Sequence, residues 1–549
     1  MSSTSTSTTE IELQSVPVAY HPALTTSVDS AVPASVPLDR LESESRSREA
    51  GQRAPLTRDE DIEHPNLGKG KTLVVIVSVT CITAISSLLS GLVTVALPTI
   101  ARDLGLSESL LLWPASIYAL TCGCTLLLLG SIADVVGSRH MYLLGCALQS
   151  AFTLACGLSQ NGPQLILFRA LAGIAISFCL PSAVSIITNS FAPGKRRNVA
   201  FAAMGGGQPI GFTIGLTLGG VFADTIGWRW GFYTAAIMNT IILVVAIWGL
   251  PKTIGENDPI TWKRLGSDID WVGAILASSA LAMLSYVFAI LTGNTASIRD
   301  SSTITILAIS IALIPAFIYW CGRQERLGRP AIIPNSLWRN KVFTCICINV
   351  FVVWGAFNAL ELLLTLYFQD VQKMSAINTS VHFLPSPAAG ATVNIMMALI
   401  VHRVRADVAI IISLVVSAIS PLIMAFAMPS WSFWAGPFPA LFLNPVGSDV
   451  LFTISNLVIT SVFPARTQAL AGGVFNTVSQ IGKSVGLATA AVVAASVTAR
   501  SEYENKRSPE ALLEGYHASF WYLFALTLAA LGVSLWGLRK IGKVGLKQD

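Results

Sequence analysis

Charge is scarce in this chain: Asp, Glu, Lys and Arg supply 12% of its 549 residues, about half the roughly 25% of a water-soluble domain. Over such a length that shortage excludes a surface that faces mostly water. The net charge is only +5, with Lys and Arg scattered in short groups between apolar runs. That pattern argues against nucleic acid, which demands a clustered basic face. The six histidines (His21, His64, His140, His382, His402 and His517) are dispersed, so no metal site is expected. The nine cysteines fall almost entirely inside apolar runs and show neither a disulfide framework nor zinc spacing. Even the pair Cys122 and Cys124 reads as small buried apolar side chains. No phosphate-cradling Walker loop is present, which argues against ATP hydrolysis. No Ser-His-Asp, paired-Cys or zinc motif survives inspection, so the chain does not read as an enzyme, and no cofactor is expected.

What the chain has in quantity is apolar residues, 53% of the total. Residues 1–68 differ: they are rich in Ser, Thr, Pro and charge, and poor in aromatics. Such a segment buries too little apolar area to offset ordering entropy, so it reads as a disordered tail. No apolar core follows Met1, so it is not a signal peptide, and the first membrane helix is expected to act as an uncleaved anchor. A bilayer core about 30 Å thick needs about 20 apolar helical residues. Segments of that length recur fourteen times, near 72–98, 109–131, 140–158, 164–190, 198–222, 230–250, 271–292, 302–321, 342–367, 378–401, 407–428, 433–462, 467–498 and 517–538. The division between the eleventh and twelfth is crowded by Pro429, Trp431 and Pro437. The expectation is an all-α polytopic membrane protein.

Orientation follows from the basic residues of the loops. With the N-terminus in the cytoplasm, 21 Lys and Arg fall on the cytoplasmic side and 7 on the other. Both termini are therefore expected inside. The sequon Asn378-Thr379-Ser380 then lies outside, as use of Asn378 for glycosylation requires, although it stands close to a helix.

The loop after the second span reads Gly130-Ser131-Ile132-Ala133-Asp134-Val135-Val136-Gly137-Ser138-Arg139. Gly130 and Gly137 permit close helix approach and a tight turn; Asp134 can cap the following helix. Span four carries Arg169 four residues before Gly173. A charge at that depth must face protein or water, as a working residue or as a tether between helices. Span five repeats Gly207, Gly211, Gly215 and Gly219, followed by Gly220, a smooth stripe along which a neighbouring backbone can pack. Gly227-Trp228-Arg229-Trp230-Gly231-Phe232 and Asp270-Trp271-Val272-Gly273 precede spans six and seven.

Together these segments resemble the major facilitator superfamily, and in particular the fourteen-helix drug:proton antiporters of fungal type. The resemblance runs from about Leu97-Pro98 to the end. In that family the Gly130–Arg139 type of loop latches the two halves in one access state. The stripe of span five is similar to the antiporter motif, with Leu216 in place of its proline. Ala172 stands where the family often has Gln, and Ser87–Gly91 lacks the acid many relatives carry in span one. His402-Arg403-Val404-Arg405 is a worn repeat of the loop motif in the second half. The resemblance implies a six-helix half at 69–255, two extra central helices at 256–335, and a second six-helix half with a short tail at 336–549.

Four ionisable residues lie within spans: Arg169, Glu361, Asp449 and Lys483. Such residues are costly and functional by default. Loss of water favours the neutral form of a carboxyl, which suits Glu361, and after it Asp449, to carry a proton. Lys483 is expected to pair with Asp449 or Glu361, as coupling machinery or as a structural ion pair. Substrate should bind near the midplane, with Gln208, Trp113, Trp354, Asn358, Asn394 and Asn456 as candidate lining, each equally explicable by helix packing. The expectation is a monomeric, proton-coupled exporter of a small organic compound, such as a drug, toxin or secondary metabolite. Its partners would be that substrate, protons and the lipid bilayer. A plasma membrane is expected, with the vacuolar membrane as the alternative. An importer of a small polar nutrient or ion, and a transporter-like sensor, are the competing readings.

Overall fold

With so little charge, the backbone's own polar groups must be satisfied inside each segment, and helices do this in an apolar medium. The computed structural model describes residues 68–107, 110–191, 195–251, 269–293, 295–400, 403–463 and 465–539. The expected tail, except Gly68, and the loop 252–268 lie outside these residues, as do His402 and Lys540, Lys543 and Lys547. Among the described residues, fifteen α-helices follow one another. Named for their place in the chain alone, the first half holds α1 Lys69–Asp103, α2 Trp113–Val136, α3 Ser138–Leu158, α4 Gly162–Ser190, α5 Lys195–Asp224 and α6 Arg229–Gly249. The central pair is α7 Trp271–Gly293 and α8 Ser301–Arg326. The second half holds α9 Lys341–Leu366, α10 Ala376–Phe383, α11 Pro385–Ile400, α12 Ala406–Phe426, α13 Pro437–Val462, α14 Ala465–Arg500 and α15 Pro509–Gly537. Helix starts are marked by side chains that accept otherwise orphaned N–H groups: Asn161 for α4, Asn340 for α9, Ser375 for α10 and Ser508 for α15.

Thirteen of these helices are long and apolar enough to cross a membrane. The expected tenth span departs from this pattern. It is interrupted at Leu384, just before Pro385, into α10 and α11, because proline has no N–H to donate to the preceding turn; Leu384 itself keeps helical dihedrals, φ −54° and ψ −29°. Several other boundaries move, two of them as follows. Helix α9 runs on into a π-helical turn, Tyr367–Val371. Helix α15 begins at Pro509, eight residues before the expected 517; Glu510 and Glu514 sit in this extension, where helix continues past the apolar stretch.

The glycine stripe of α5 lies on α1. A Cβ at Gly207 would stand 2.9 Å from the Thr80 carbonyl oxygen, and one at Gly219 2.8 Å from that of Leu92; at Gly211 and Gly215 it would collide with the carbonyls of Ala84 and Leu88. The two backbones therefore touch along three turns, as small-residue stripes allow. The central pair is held together by Ser310 Oγ, which donates to the Ala280 carbonyl at 2.8 Å, and to α2 by Ser278 Oγ, which donates to the Cys124 carbonyl at 3.0 Å. Ile304, Ile311, Ile314, Ile318 and Tyr319 leave α8 with a broad exposed apolar face, which suits contact with lipid.

The apolar core is divided unevenly. At the end away from the α2–α3 loop, one cluster joins Leu88, Leu92 and Val95 of α1 to Leu360, Leu363, Tyr367, Phe368, Phe383 and Phe520 of the second half. At the loop end the halves keep separate cores: Val75, Tyr142 and Ile187 in one, Ile346, Leu414 and Phe475 in the other. Among the described residues, Leu127 is the one first-half side chain packed on the latter.

Candidate functional site

Glu361 is placed deep in α9, 2% exposed. Its Oε1 accepts a hydrogen bond of 3.0 Å from Ser386 Oγ. Ser386 is the second residue of α11, so the hydroxyl that meets the carboxyl stands just past the interruption at Leu384. One turn along α11, Gly390 leaves room for Asp449 of α13: a Cβ there would stand 2.7 Å from Asp449 Oδ2. The two carboxyls thus converge on one helix, and both Asp449 and Lys483 lie within electrostatic reach of Glu361.

Lys483 does not form the expected ion pair with either carboxyl. Its Nζ lies 4.5 Å from the centroid of the Trp354 ring, a cation–π contact. Trp354 stands seven residues before Glu361 on α9, about 10 Å at 1.5 Å per residue, which keeps the ammonium short of the carboxyl. The reason lies in α14: a Cβ at Gly486 would collide with the backbone of Gly355, and one at Gly482 with that of Phe351. This close approach sets Lys483 against α9 at the level of Trp354. Phe357 and Phe452 flank the indole edge-on, with centroids at 5.6 and 6.2 Å.

Arg169 belongs to a different group. It is 1% exposed in α4; Nε donates to the Pro114 carbonyl at 2.9 Å and Cζ lies 4.7 Å from the Tyr118 ring centroid. Tyr118 in turn bonds Ser86 through its hydroxyl at 2.9 Å. Arg169 thereby ties α4, α2 and α1 within the first half and is not brought together with Glu361, Asp449 and Lys483.

Of the candidate lining residues, Asn358, Asn394 and Asn456 each donate to the carbonyl four residues back on their own helix, at 3.0, 3.0 and 2.9 Å. Asn394 also accepts from Thr453 Oγ1 at 3.3 Å. Trp354 keeps a buried Nε1 with no partner. Gln208 on α5 and Trp113 at the start of α2 are half-buried in the first half and join none of these contacts. Asn378 is exposed in the first turn of α10, while Ser380 of the same sequon is buried and donates to the Leu216 carbonyl at 2.7 Å.

The described contacts of the loop motif lie within the first half. Gly137 ends α2 at φ 102°, a conformation that favours glycine. Gly130 faces Pro181, and Arg139 Nη2 donates to the Ile247 carbonyl at 3.1 Å. The Asp134 side chain lies outside the described residues. At the opposite end the halves are pinned together. Gln369 Nε2 donates to the Val95 carbonyl at 2.8 Å, and Asp224 accepts the N–H groups of Ala376 and Ile377, at 3.3 and 2.7 Å. Gly220 makes room there for Ser380 and Ala376.

Two further motifs find a structural task. Asp103 takes both Trp228 Nε1, at 3.0 Å, and Arg229 Nη1, at 2.6 Å, so the start of α6 clamps the end of α1. Asp270 accepts from Gly273 N, Trp320 Nε1 and Ile332 N, which joins α7, α8 and the segment after them. Ser386, Gly390, Gln369 and Asp224 do not stand out in the sequence without their partners. The Gly482–Gly486 pair was the one omission with a readable signal, a small-xxx-small spacing.

Comparison with known proteins agrees with this architecture. Residues 79–487 match the Major Facilitator Superfamily. The chain is 40% identical to MFS-type transporter 1 of Pyricularia oryzae, over 88% of this chain and 86% of that protein. It is 25% identical to an efflux pump of Aspergillus terreus, over 87% and 89%, and 23% identical to a low affinity ammonium transporter of Saccharomyces cerevisiae, over 77% and 79%. Among solved structures, a bacterial homologue of the human lysosomal transporter Spinster superposes with a TM-score of 0.61 at 16% identity, covering 86% of this chain and 98% of the other. An all-helical, multi-pass membrane protein with these relatives belongs to the major facilitator superfamily of transporters, and is not an enzyme.

Proposed function

We propose that this transporter exports a small organic compound in exchange for protons, by alternating access between its two halves. The observation that carries the reading is the convergence of Glu361 and Asp449 on α11, inside the apolar second half. Carboxyls placed within spans with no ion pair are costly. Their cost is offset if each is neutral for part of a cycle, and gain or loss of that proton then biases the two access states. Lys483, on the Trp354 ring, is the cation that a deprotonated carboxyl would attract. The efflux pump among the relatives favours export of a drug-like or secondary metabolite; the ammonium transporter keeps uptake of a small polar solute as the second reading.

In this proposal both termini are cytoplasmic, so the unshared cores face the cytoplasm and the pinned end faces outward, at the plasma membrane. Helices α10 and α11 together form a tenth crossing: their 8 and 16 residues span about 36 Å at 1.5 Å per residue, which gives fourteen in all. The halves comprise 69–255 and 336–549, with the central pair in 256–335. The first four lining residues to test are Trp354, Asn358, Asn394 and Asn456. The deciding experiment is flux in sealed vesicles from a host stripped of its own exporters, with a panel of toxic organics and an imposed pH gradient. Uptake into inverted vesicles that needs an acidic lumen establishes proton-coupled export. Uptake by intact cells without such export establishes the importer.

A further inference from the structure

The connection from the central pair to the second half is rich in charge, in a chain that has little. Residues 323–341 hold five basic side chains, Arg323, Arg326, Arg329, Arg339 and Lys341, against one acid, Glu325. All five cations are exposed, and among the described residues none of them forms an ion pair. Glu325 is committed to the backbone: its Oε2 accepts the Ser336 N–H at 3.3 Å. The counter-charge for this patch must come from outside the described chain.

The backbone fixes where the cations stand. Helix α8 ends in a Schellman turn at Gly328, φ 64°. There the Arg329 N–H donates to the Gln324 carbonyl at 3.0 Å and the Gly328 N–H to that of Glu325 at 3.1 Å. The chain then returns along α8: Asn335 Nδ2 donates to the Ile318 carbonyl at 2.9 Å, and Asp270 holds the Ile332 N–H together with Trp320 Nε1. Ile332 and Ile333 pack with Phe317 of α8 and Leu127 and Leu128 of α2. On this ordered support large apolar side chains stand exposed beside the cations: Ile318, Tyr319, Leu327 and Trp338. Tyr319, Arg323 and Arg326 share one face of α8 by their i, i+4, i+7 spacing, and Arg323 Cζ lies 5.5 Å from the Trp320 ring centroid. Cations at this end follow from orientation alone; their fixed display beside exposed aromatic residues does not.

We infer that this connection is a binding site for an anionic phospholipid, whose headgroup engages Arg323, Arg326 and Arg329 and whose acyl chains lie along Ile318 and Tyr319 on the lipid face of α8. Guanidinium groups meet phosphate through paired N–H donors, and their stems can lie on apolar surface while the charge reaches the headgroups. Neither the direction of transport nor its coupling enters this reading. Lipid held there ties the end of the central pair, and with it the start of α9, to one leaflet.

The test is native mass spectrometry of the full chain in detergent, titrated with dioleoylphosphatidylserine or dioleoylphosphatidylcholine. The first bound phosphatidylserine is expected to be held about tenfold or more tightly than phosphatidylcholine, since each cation near a headgroup is worth about fivefold. The triple change Arg323→Gln, Arg326→Gln and Arg329→Gln should erase that preference. The triple change Lys69→Gln, Lys71→Gln and Arg196→Gln removes the same charge from exposed sites elsewhere and should leave it intact. Inorganic phosphate in millimolar excess should not displace the lipid, because it lacks the acyl chains. No preference in the unaltered protein, a preference that survives the arginine changes, equal loss in both triple variants, or displacement by phosphate overturns the inference.

Discussion

Two glycine seams hold this protein together, and they border different chemistry. In the first half, Gly207, Gly211, Gly215 and Gly219 seat α5 on the backbone of α1. In the second half, Gly482 and Gly486 seat α14 on α9 at Phe351 and Gly355. The first seam runs longer, and no Asp, Glu, Lys or Arg lies between Val199 and Ala223 on α5 or between Thr72 and Ala101 on α1. The second is shorter and is bordered by Lys483 on one helix and Glu361 on the other. A seam of backbone contacts has no spare volume and resists deformation. The comparison teaches that the two halves share one packing device and that charged residues border it only in the second; the first half keeps its buried charge, Arg169, on α4 and away from the seam.

The largest effect should come from breaking the longer seam. Gly211→Leu would drive a side chain into the Ala84 backbone, where no flexible neighbour can give way; overpacking costs of about 1–3 kcal/mol are then a lower bound. Fluorescence-detected size exclusion should show little or no monodisperse protein. Next, Glu361→Gln and Asp449→Asn keep shape and hydrogen bonding but remove the titrating group. Both proteins should elute normally, while gradient-driven flux falls to the vesicle background. An Asp449→Asn protein whose transport kept its pH dependence would take Asp449 out of the coupling role and leave Glu361 to be tested alone. A smaller shift is expected from Asp224→Asn, which weakens the charged cap on α10. Caps and helix-end charges are worth about 0.5–2 kcal/mol, so opening of the pinned end should rise a few-fold, read as faster labelling of a cysteine placed at Val95. The smallest change in stability should follow Lys483→Met, since a cation–π contact contributes about 0.5–2 kcal/mol. A modest drop in the thermal aggregation midpoint checks it, and a large drop would mean that the ammonium holds more than the indole ring.

Much of the fold was readable because a bilayer imposes a simple code. A span must be about 20 residues long and nearly free of charge, and thirteen of the fourteen expected segments are single helices of that kind. The glycine stripe was legible for a similar reason, since it recurs on one face. Boundaries set by caps and proline were less so: α15 starts at Ser508 and Pro509, beyond the apolar stretch, and Pro385 divides the tenth segment. The four ionisable residues within spans could be named from depth alone. Which of them meet could not, because Arg169 and Lys483 each settled on an aromatic ring in its own half, at Tyr118 and Trp354.

The sequence by itself determined the class of molecule, the order of its helices and the short roll of charged residues that fall within spans. These follow from desolvation, which acts on each residue singly and in proportion to depth. The tertiary structure alone decided that Glu361 meets Ser386, that Asp449 fills the gap at Gly390, and that Gln369 and Asp224 pin one end while the other keeps two cores. Those outcomes depend on which helix faces lie opposite each other, a relation between residues far apart in the chain that no local pattern encodes.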